Sequence, residues 1–140
     1  MGPLRIPLHT VGEKNQREHW SKKAKRVRAQ RNATFVVLIN HVRAAPFVRR
    51  VPIASQTFRP VGVELLCPIT VTLTRISPPR NQLRDDDSVV GSLAACRDGV
   101  ADALGINDSD KRVTWVYRQE KGDAFAVLIS IEQAQPLPTG

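Results

Sequence analysis

The order of periodicities along this chain predicts an α+β fold, a small mixed or antiparallel sheet carrying two main helices. Three observations lead there. A basic segment from about Arg17 to Val42 repeats at helical spacing. A second helical repeat lies between Arg84 and Gly105, and the segments before and after it alternate with the period of two expected of half-buried strands. A chain of 140 residues makes one domain with a core of its own. That domain is expected to occupy residues 1–132, with 133–140, which hold Pro136 and Pro138, as a flexible C-terminal tail.

Taken in order, residues 1–16 place Pro3, Pro7 and Gly12 among apolar residues, which predicts an extended start, with a short strand near Leu4 to Leu8 able to join the sheet. In the first helix Trp20, Ala24, Val27, Arg31, Phe35, Leu38 and Val42 recur at helical spacing, and Pro46 ends the run. Ala45 to Arg59 has no clean period and reads as a loop or an irregular hairpin. Pro68 to Ile76 alternates apolar residues with Thr70, Thr72 and Thr74, a strand with one buried face, and Ser77-Pro78-Pro79-Arg80-Asn81 ends it. Val89, Val90, Leu93, Cys96, Val100, Ala101 and Leu104 form the apolar stripe of the second helix, and Gly105 is its stop. Val113–Arg118 and Phe125–Ile131 are rich in β-formers and flank the turn signal Lys121-Gly122-Asp123, so they are expected to pair as a hairpin.

Charge is unevenly divided. The net charge is +8, but residues 1–60 carry 13 Lys or Arg against 2 acids, while residues 61–140 carry 8 against 11. A basic half suits a polyanion, and the acidic half can supply a site. The basic residues concentrate at Lys22, Lys23, Lys25, Arg26, Arg28 and Arg31 on the first helix. A solvated helix face is the plain alternative, but few acids lie nearby to compensate these charges, which favours contact with nucleic acid phosphates. Only Trp20 accompanies the cluster, too little apolar surface for a membrane-bound helix. No apolar run approaches the roughly 18 residues of a membrane span and no signal-peptide layout is present, so a cytoplasmic location is expected. Cys67 and Cys96 lie in apolar surroundings and read as free thiols.

The acids concentrate around the second helix: Asp85, Asp86, Asp87, Asp98, Asp102, Asp108 and Asp110. Carboxylates before a helix are stabilised by its free amides and dipole, but capping needs only one of the first three. The surplus, with Asp108 and Asp110 beyond the helix, supplies the oxygen donors that a hard divalent cation requires. Asp85, Asp87 and Asp110 are the candidate metal ligands and catalytic carboxylates; solvated loop charge is the plain alternative. A helix of about 17 residues spans about 25 Å, so Asp110 reaches Asp85 only if the following segment runs back along the helix, or if two protomers share the site. Asp98 and Asp102 are expected to pair with Arg97 or with cations of the basic helix. Three carboxylates beside a polyanion-binding surface suggest phosphodiester hydrolysis assisted by magnesium, with manganese as the other candidate ion. His9, His19 and His41 have no motif spacing, no serine stands in a nucleophile elbow, and no glycine-rich phosphate loop occurs, so no nucleotide cofactor is expected.

Arg84-Asp85-Asp86-Asp87-Ser88-Val89, Ala94-Ala95-Cys96-Arg97-Asp98-Gly99 and Gly105-Ile106-Asn107-Asp108-Ser109-Asp110-Lys111-Arg112-Val113 resemble the RusA-type Holliday junction resolvases, phage and prophage members included. The family pattern is an Asp-x-Asp-Asn-Leu opening, a Lys-Ala-x-x-Asp helix and an Asp-Asp-x-x-Val exit. The likeness is strong over residues 68–132 and weak over 1–67. It implies a homodimeric, magnesium-dependent endodeoxyribonuclease that resolves four-way DNA junctions in recombination and repair, with Asp85, Asp87 and Asp110 on the family's catalytic positions and Asp98 on its helix aspartate. Two positions depart: Ser88 stands for the family's Asn, and the catalytic lysine is replaced by Ala94 by motif, or Gly91 by count from Asp87. Arg84 or Arg80 is the expected substitute charge. A catalytically impaired junction-binding relative is the alternative reading. A small RNA-associated protein is the third, although only 5% of residues are aromatic and base stacking is not advertised.

Overall fold

The computed structural model describes residues 2–11, 20–51 and 62–134. The expected helix start at Arg17, Gly12, His19, residues 52–59 of the Ala45–Arg59 connection and most of the tail lie outside the described residues. The elements are β1 (Leu4–Ile6), α1 (Trp20–Arg43), β2 (Val48–Arg50), β3 (Val63–Leu65), β4 (Ile69–Ser77), α2 (Asp86–Leu104), β5 (Val113–Lys121) and β6 (Ala126–Gln133), with a 3-10 turn at Pro79–Asn81. The fold is α+β, with two helices and a mixed four-stranded sheet in the order β1-β6-β4-β5; β2 and β3 form a separate two-stranded ribbon.

The expected β5–β6 hairpin does not form. β4 lies between the two strands, parallel to β5 from Ile69↔Val113 to Ser77↔Lys121 and antiparallel to β6 from Ile69↔Gln133 to Ile76↔Ala126. The physical reason lies in β4 itself. Ile69, Val71 and Leu73 are fully buried, and Thr74, Arg75, Ile76 and Ser77 are buried as well, so this strand belongs in the sheet interior with ladder partners on both sides. Gly122 is therefore not a hairpin residue. Its amide donates to the Ser77 carbonyl at 3.0 Å, and a Cβ there would stand 2.5 Å from Ile76 Cγ2, so the glycine lets the chain cross the end of β4. β1 takes the opposite edge, pairing antiparallel with β6 through Leu4↔Ile129 and Ile6↔Val127.

α2 connects the parallel strands β4 and β5 and packs on both, while α1 packs on α2. Asp85 caps α2, its Oδ1 accepting the Ser88 amide at 2.6 Å, and Gly105 closes it in the left-handed conformation at φ 66°. Leu93, Cys96, Val100 and Leu104 are fully buried at the three-and-four spacing the sequence displays. Burial pushes the Cys96 thiol up to about 11, against a weaker lowering by its Thr34 contact, so this cysteine is a packing residue. Cys67 is half-buried and also free.

In α1 the buried positions are Gln30, Thr34, Leu38 and Val42, one stripe at a spacing of four. The expected stripe began at Trp20, but Trp20 is 76% exposed and Ala24 is exposed too, because only the second half of the helix lies against the core. Of the segment expected as a loop or an irregular hairpin, Ala45 to Arg59, Val48–Arg50 forms β2, but its antiparallel partner β3 lies beyond Arg59, with Arg49 and Glu64 opposite one another and bonded through their side chains. Among the described residues no helix is long and apolar enough to cross a membrane.

Candidate functional site

The segment leading into α2 is held by a buried arginine. Arg75 continues the buried phase of Ile69, Val71 and Leu73 and is only 2% exposed. Its Nη1 donates to Ser77 Oγ at 2.9 Å, Gln119 Oε1 at 2.9 Å and the Asn81 carbonyl at 3.2 Å, and its Nη2 donates to the Thr10 carbonyl at 3.0 Å. The guanidinium also lies 5.9 Å from the centre of the Phe125 ring. None of these hydrogen-bond acceptors is a carboxylate, and desolvation lowers the arginine's pKa. Gln119 passes the order on: its Oε1 also accepts the Leu83 amide at 2.9 Å, and its Nε2 donates to the Leu83 carbonyl at 2.9 Å. Gln82 Nε2 bonds Ser77 Oγ at 2.5 Å and the Glu120 carbonyl at 3.2 Å. Asn81, Gln82 and Leu83 are thus pinned to β4 and β5 immediately before Arg84 and Asp85.

Beyond that anchor a cleft of about 610 Å³ opens between the start of α2 and β5. Leu83, Val89, Val90 and Tyr117 give it apolar walls, and Arg84, Asp85, Asp86, Arg118 and Glu120 give it charge. Asp85, Asp86 and Asp87 are all exposed. Asp85 stands at the cap, Asp86 and Asp87 in the first turn, and Asp87 lies outside the cleft lining. Magnesium is commonly held by one or two carboxylates, with water and substrate phosphate completing its octahedron, and this exposed run fits that donor chemistry. Of the two expected substitute cations, Arg84 lines the cleft; Arg80, exposed in the 3-10 turn, does not.

Asp110 stands beyond the opposite end of α2. Arg112 grips it, Nη2 to Oδ2 at 2.8 Å and Nε to Oδ1 at 3.1 Å, while Arg112 Nη1 holds the Leu65 carbonyl at 3.0 Å. The hydrogen bond to Asp110 raises the Arg112 pKa. The 19 residues of α2 extend about 28 Å, so one chain does not bring Asp85 and Asp110 together. Among the described residues of one chain, no three His, Cys, Asp or Glu side chains converge on a point that could hold a metal ion. Asp98 and Asp102 pair as the sequence suggests, and Asp108, expected among the oxygen donors to a cation, is paired as well: Arg97 lies 3.4 Å from both Asp98 and Asp108, and Arg31 makes a two-point bond to Asp102 at 2.6 and 2.7 Å. That bond raises the Arg31 pKa and ties α1 to α2.

Arg31 is therefore committed to a carboxylate, unlike the picture of a phosphate-facing cation that spacing alone suggests. Lys22, Lys23, Lys25 and Arg28 are exposed on the half of α1 that leaves the core, and Arg26 is half-buried. Sequence reasoning missed Arg75, Gln119 and Arg118 as parts of the site. Arg75 did leave a signal, a charge in the buried phase of an alternating strand; Gln119 and Arg118 left none, because their role depends on β5 lying beside the start of α2. Comparison of the chain with protein-family models, curated proteins and solved structures finds no match.

Proposed function

We propose that this protein is a magnesium-dependent, structure-specific endodeoxyribonuclease acting on branched DNA, four-way junctions above all. The observation that carries the proposal is the exposed carboxylate run Asp85–Asp87 at a cleft that also holds two arginines, on a chain whose first helix presents Lys22, Lys23, Lys25 and Arg28 to solvent. Its resemblance to the RusA-type resolvases supports the same reading. The basic helix would follow the phosphate backbone, supplying affinity without sequence readout.

Bound at the Asp85–Asp87 run, a magnesium ion would supply Lewis-acid polarisation of the phosphoryl oxygen and an activated water. The chain's own part is to fix those carboxylates. Asp85 is immobilised by capping α2, and the Arg75–Gln119–Leu83 connection fixes the backbone before it. Arg84 is placed to offset charge on the scissile phosphate in the absence of a family lysine. In this reading the enzyme is a homodimer, and the carboxylate set at each cleft is completed by Asp110 of a second copy of the chain.

The test is cleavage of a synthetic four-way junction and of linear duplex, with magnesium or with a chelator. Wild type is expected to cut the junction only with magnesium. Asp85→Asn and Asp87→Asn should each bind the junction normally and cut it at least a hundredfold more slowly, since Asn keeps the cap and the shape but removes ligand charge. Wild-type rates in both variants would remove these carboxylates from the mechanism. Normal binding with no cutting by wild type would favour the catalytically impaired junction-binding protein instead.

A further inference from the structure

We infer that Arg118, together with Arg84, forms a phosphate clamp at the mouth of the cleft, and that Arg118 is a DNA-contacting residue. The inference rests on the branched-DNA reading above. Arg84 arrives from the segment before α2 and Arg118 from β5, two elements far apart in sequence, yet both line the same cleft with Asp85 and Asp86. Both are exposed, and neither guanidinium makes an ion pair with a described residue, although three carboxylates share the lining. The contrast with the other arginines near α2 is informative. Arg31, Arg97 and Arg112 are each held by an aspartate, and Arg75 is locked in the interior. Among the described residues Arg80 also has no ion pair but stands outside the cleft, so within the cleft it is Arg84 and Arg118 that keep their planar donors for an incoming oxyanion, the geometry best suited to phosphate.

The wall that carries Arg118 is built to hold its place. Its neighbour Gln119 is fixed on one side by Arg75 and on the other by both polar groups of the Leu83 backbone, so β5 and the segment before α2 form a unit. The lining carries two positive and three negative side chains, Arg84 and Arg118 against Asp85, Asp86 and Glu120. A net negative cleft does not attract DNA by itself. A phosphate entering it needs local guanidinium contact, and a divalent cation on the carboxylates would further reduce the repulsion without being required for binding.

The experiment measures equilibrium affinity for a four-way junction over a range of KCl concentrations, with Ca²⁺ in place of Mg²⁺ so that the strand is held without being cut. Wild type, Arg118→Ala, Arg118→Lys, Arg84→Ala and Arg80→Ala are compared. Arg118→Ala and Arg84→Ala should each lower the slope of log affinity against log salt by about 0.9, the signature of one lost phosphate contact. Arg118→Lys should recover the slope with weaker affinity, because it keeps the charge and loses the fork. Arg80→Ala, exposed outside the cleft, should match wild type. An unchanged slope in Arg118→Ala, or an equal fall in Arg80→Ala, overturns the clamp while leaving the nuclease reading intact. A wild type that binds no DNA overturns both.

Discussion

Arg75 is the residue on which the candidate site depends most heavily without facing solvent. A buried guanidinium bonded to a hydroxyl, an amide oxygen and two main-chain carbonyls gains hydrogen bonds but no opposite charge, so its desolvation is only partly offset. Removing it takes a donor from the Thr10 and Asn81 carbonyls, whereas Ser77 Oγ keeps Gln82 Nε2 and Gln119 Oε1 keeps the Leu83 amide. Arg75→Met, apolar and of similar length, should therefore cost about 2–4 kcal/mol of stability, from two main-chain carbonyls losing their donor and two shared acceptors losing one of theirs. Arg75→Lys should fall between, keeping the charge but unable to reach every partner from one nitrogen. Urea unfolding of the three proteins checks this; a change under about 1 kcal/mol in Arg75→Met would mean that the acceptors find other donors. Capping explains the neighbouring residue differently. Asp85 has a structural task as well as a proposed chemical one, and its exposure is what keeps the second open.

At the scale of elements, α2 offers an internal control in its two glycines. A Cβ at Gly99 would meet the Arg31 carbonyl at 2.6 Å and Thr34 Cβ at 2.7 Å, so this glycine permits the close approach of α1; a Cβ at Gly91 meets nothing within 4 Å. The same substitution should therefore have opposite signs. Gly91→Ala is expected to stabilise by about 0.5–1 kcal/mol through helix propensity. Gly99→Ala should destabilise by about 1–3 kcal/mol by forcing the helices apart. Paired thermal melts decide it, and a stabilised Gly99→Ala would show that the helix contact yields easily. Both helices and the strands β1, β4, β5 and β6 have counterparts in the sequence pattern, since each follows from local period and stop signals; the short β2 and β3 carry no such period, and β3 lies beyond the Ala45–Arg59 connection. Which strands pair was less legible. Lys121-Gly122-Asp123 between two β-rich runs is a strong local hairpin signal, and it lost to β4, whose burial requires neighbours on both sides. The apolar stripe of α1 misled for a related reason: periodicity marks a face, but not how much of that face another element covers, and Trp20 and Ala24 lie past the end of the packed surface.

For the whole molecule, the legible part of the candidate site was its composition and the illegible part its assembly. Asp85 and Asp87 could be read because three adjacent acids exceed what one cap needs, whereas the cleft beside them exists only once β5 lies against the start of α2. Asp110 was legible as a residue type, but its distance from Asp85 is set by the length of α2. That separation yields a decisive test of the dimeric site. If Asp85 and Asp87 of one subunit work with Asp110 of the other, a dimer of two Asp85→Asn chains and a dimer of two Asp110→Asn chains are both inactive. A mixed dimer instead contains one fully intact cleft, because the two lesions fall together in the other. Random exchange of equal amounts gives half mixed dimers with one working cleft of two, so cutting should return to up to about a quarter of wild-type sites, as single nicks rather than paired incisions. Asn is a good cap at position 85, and Arg112 keeps its bond to Leu65 when Asp110 is replaced, so both variants should fold. The measurement is junction nicking by each variant and by the mixture, with subunit exchange verified by capture of a tagged chain. Verified exchange without any return of nicking would confine the site to the carboxylates at one end of α2, and Asp110 to its hold on Arg112.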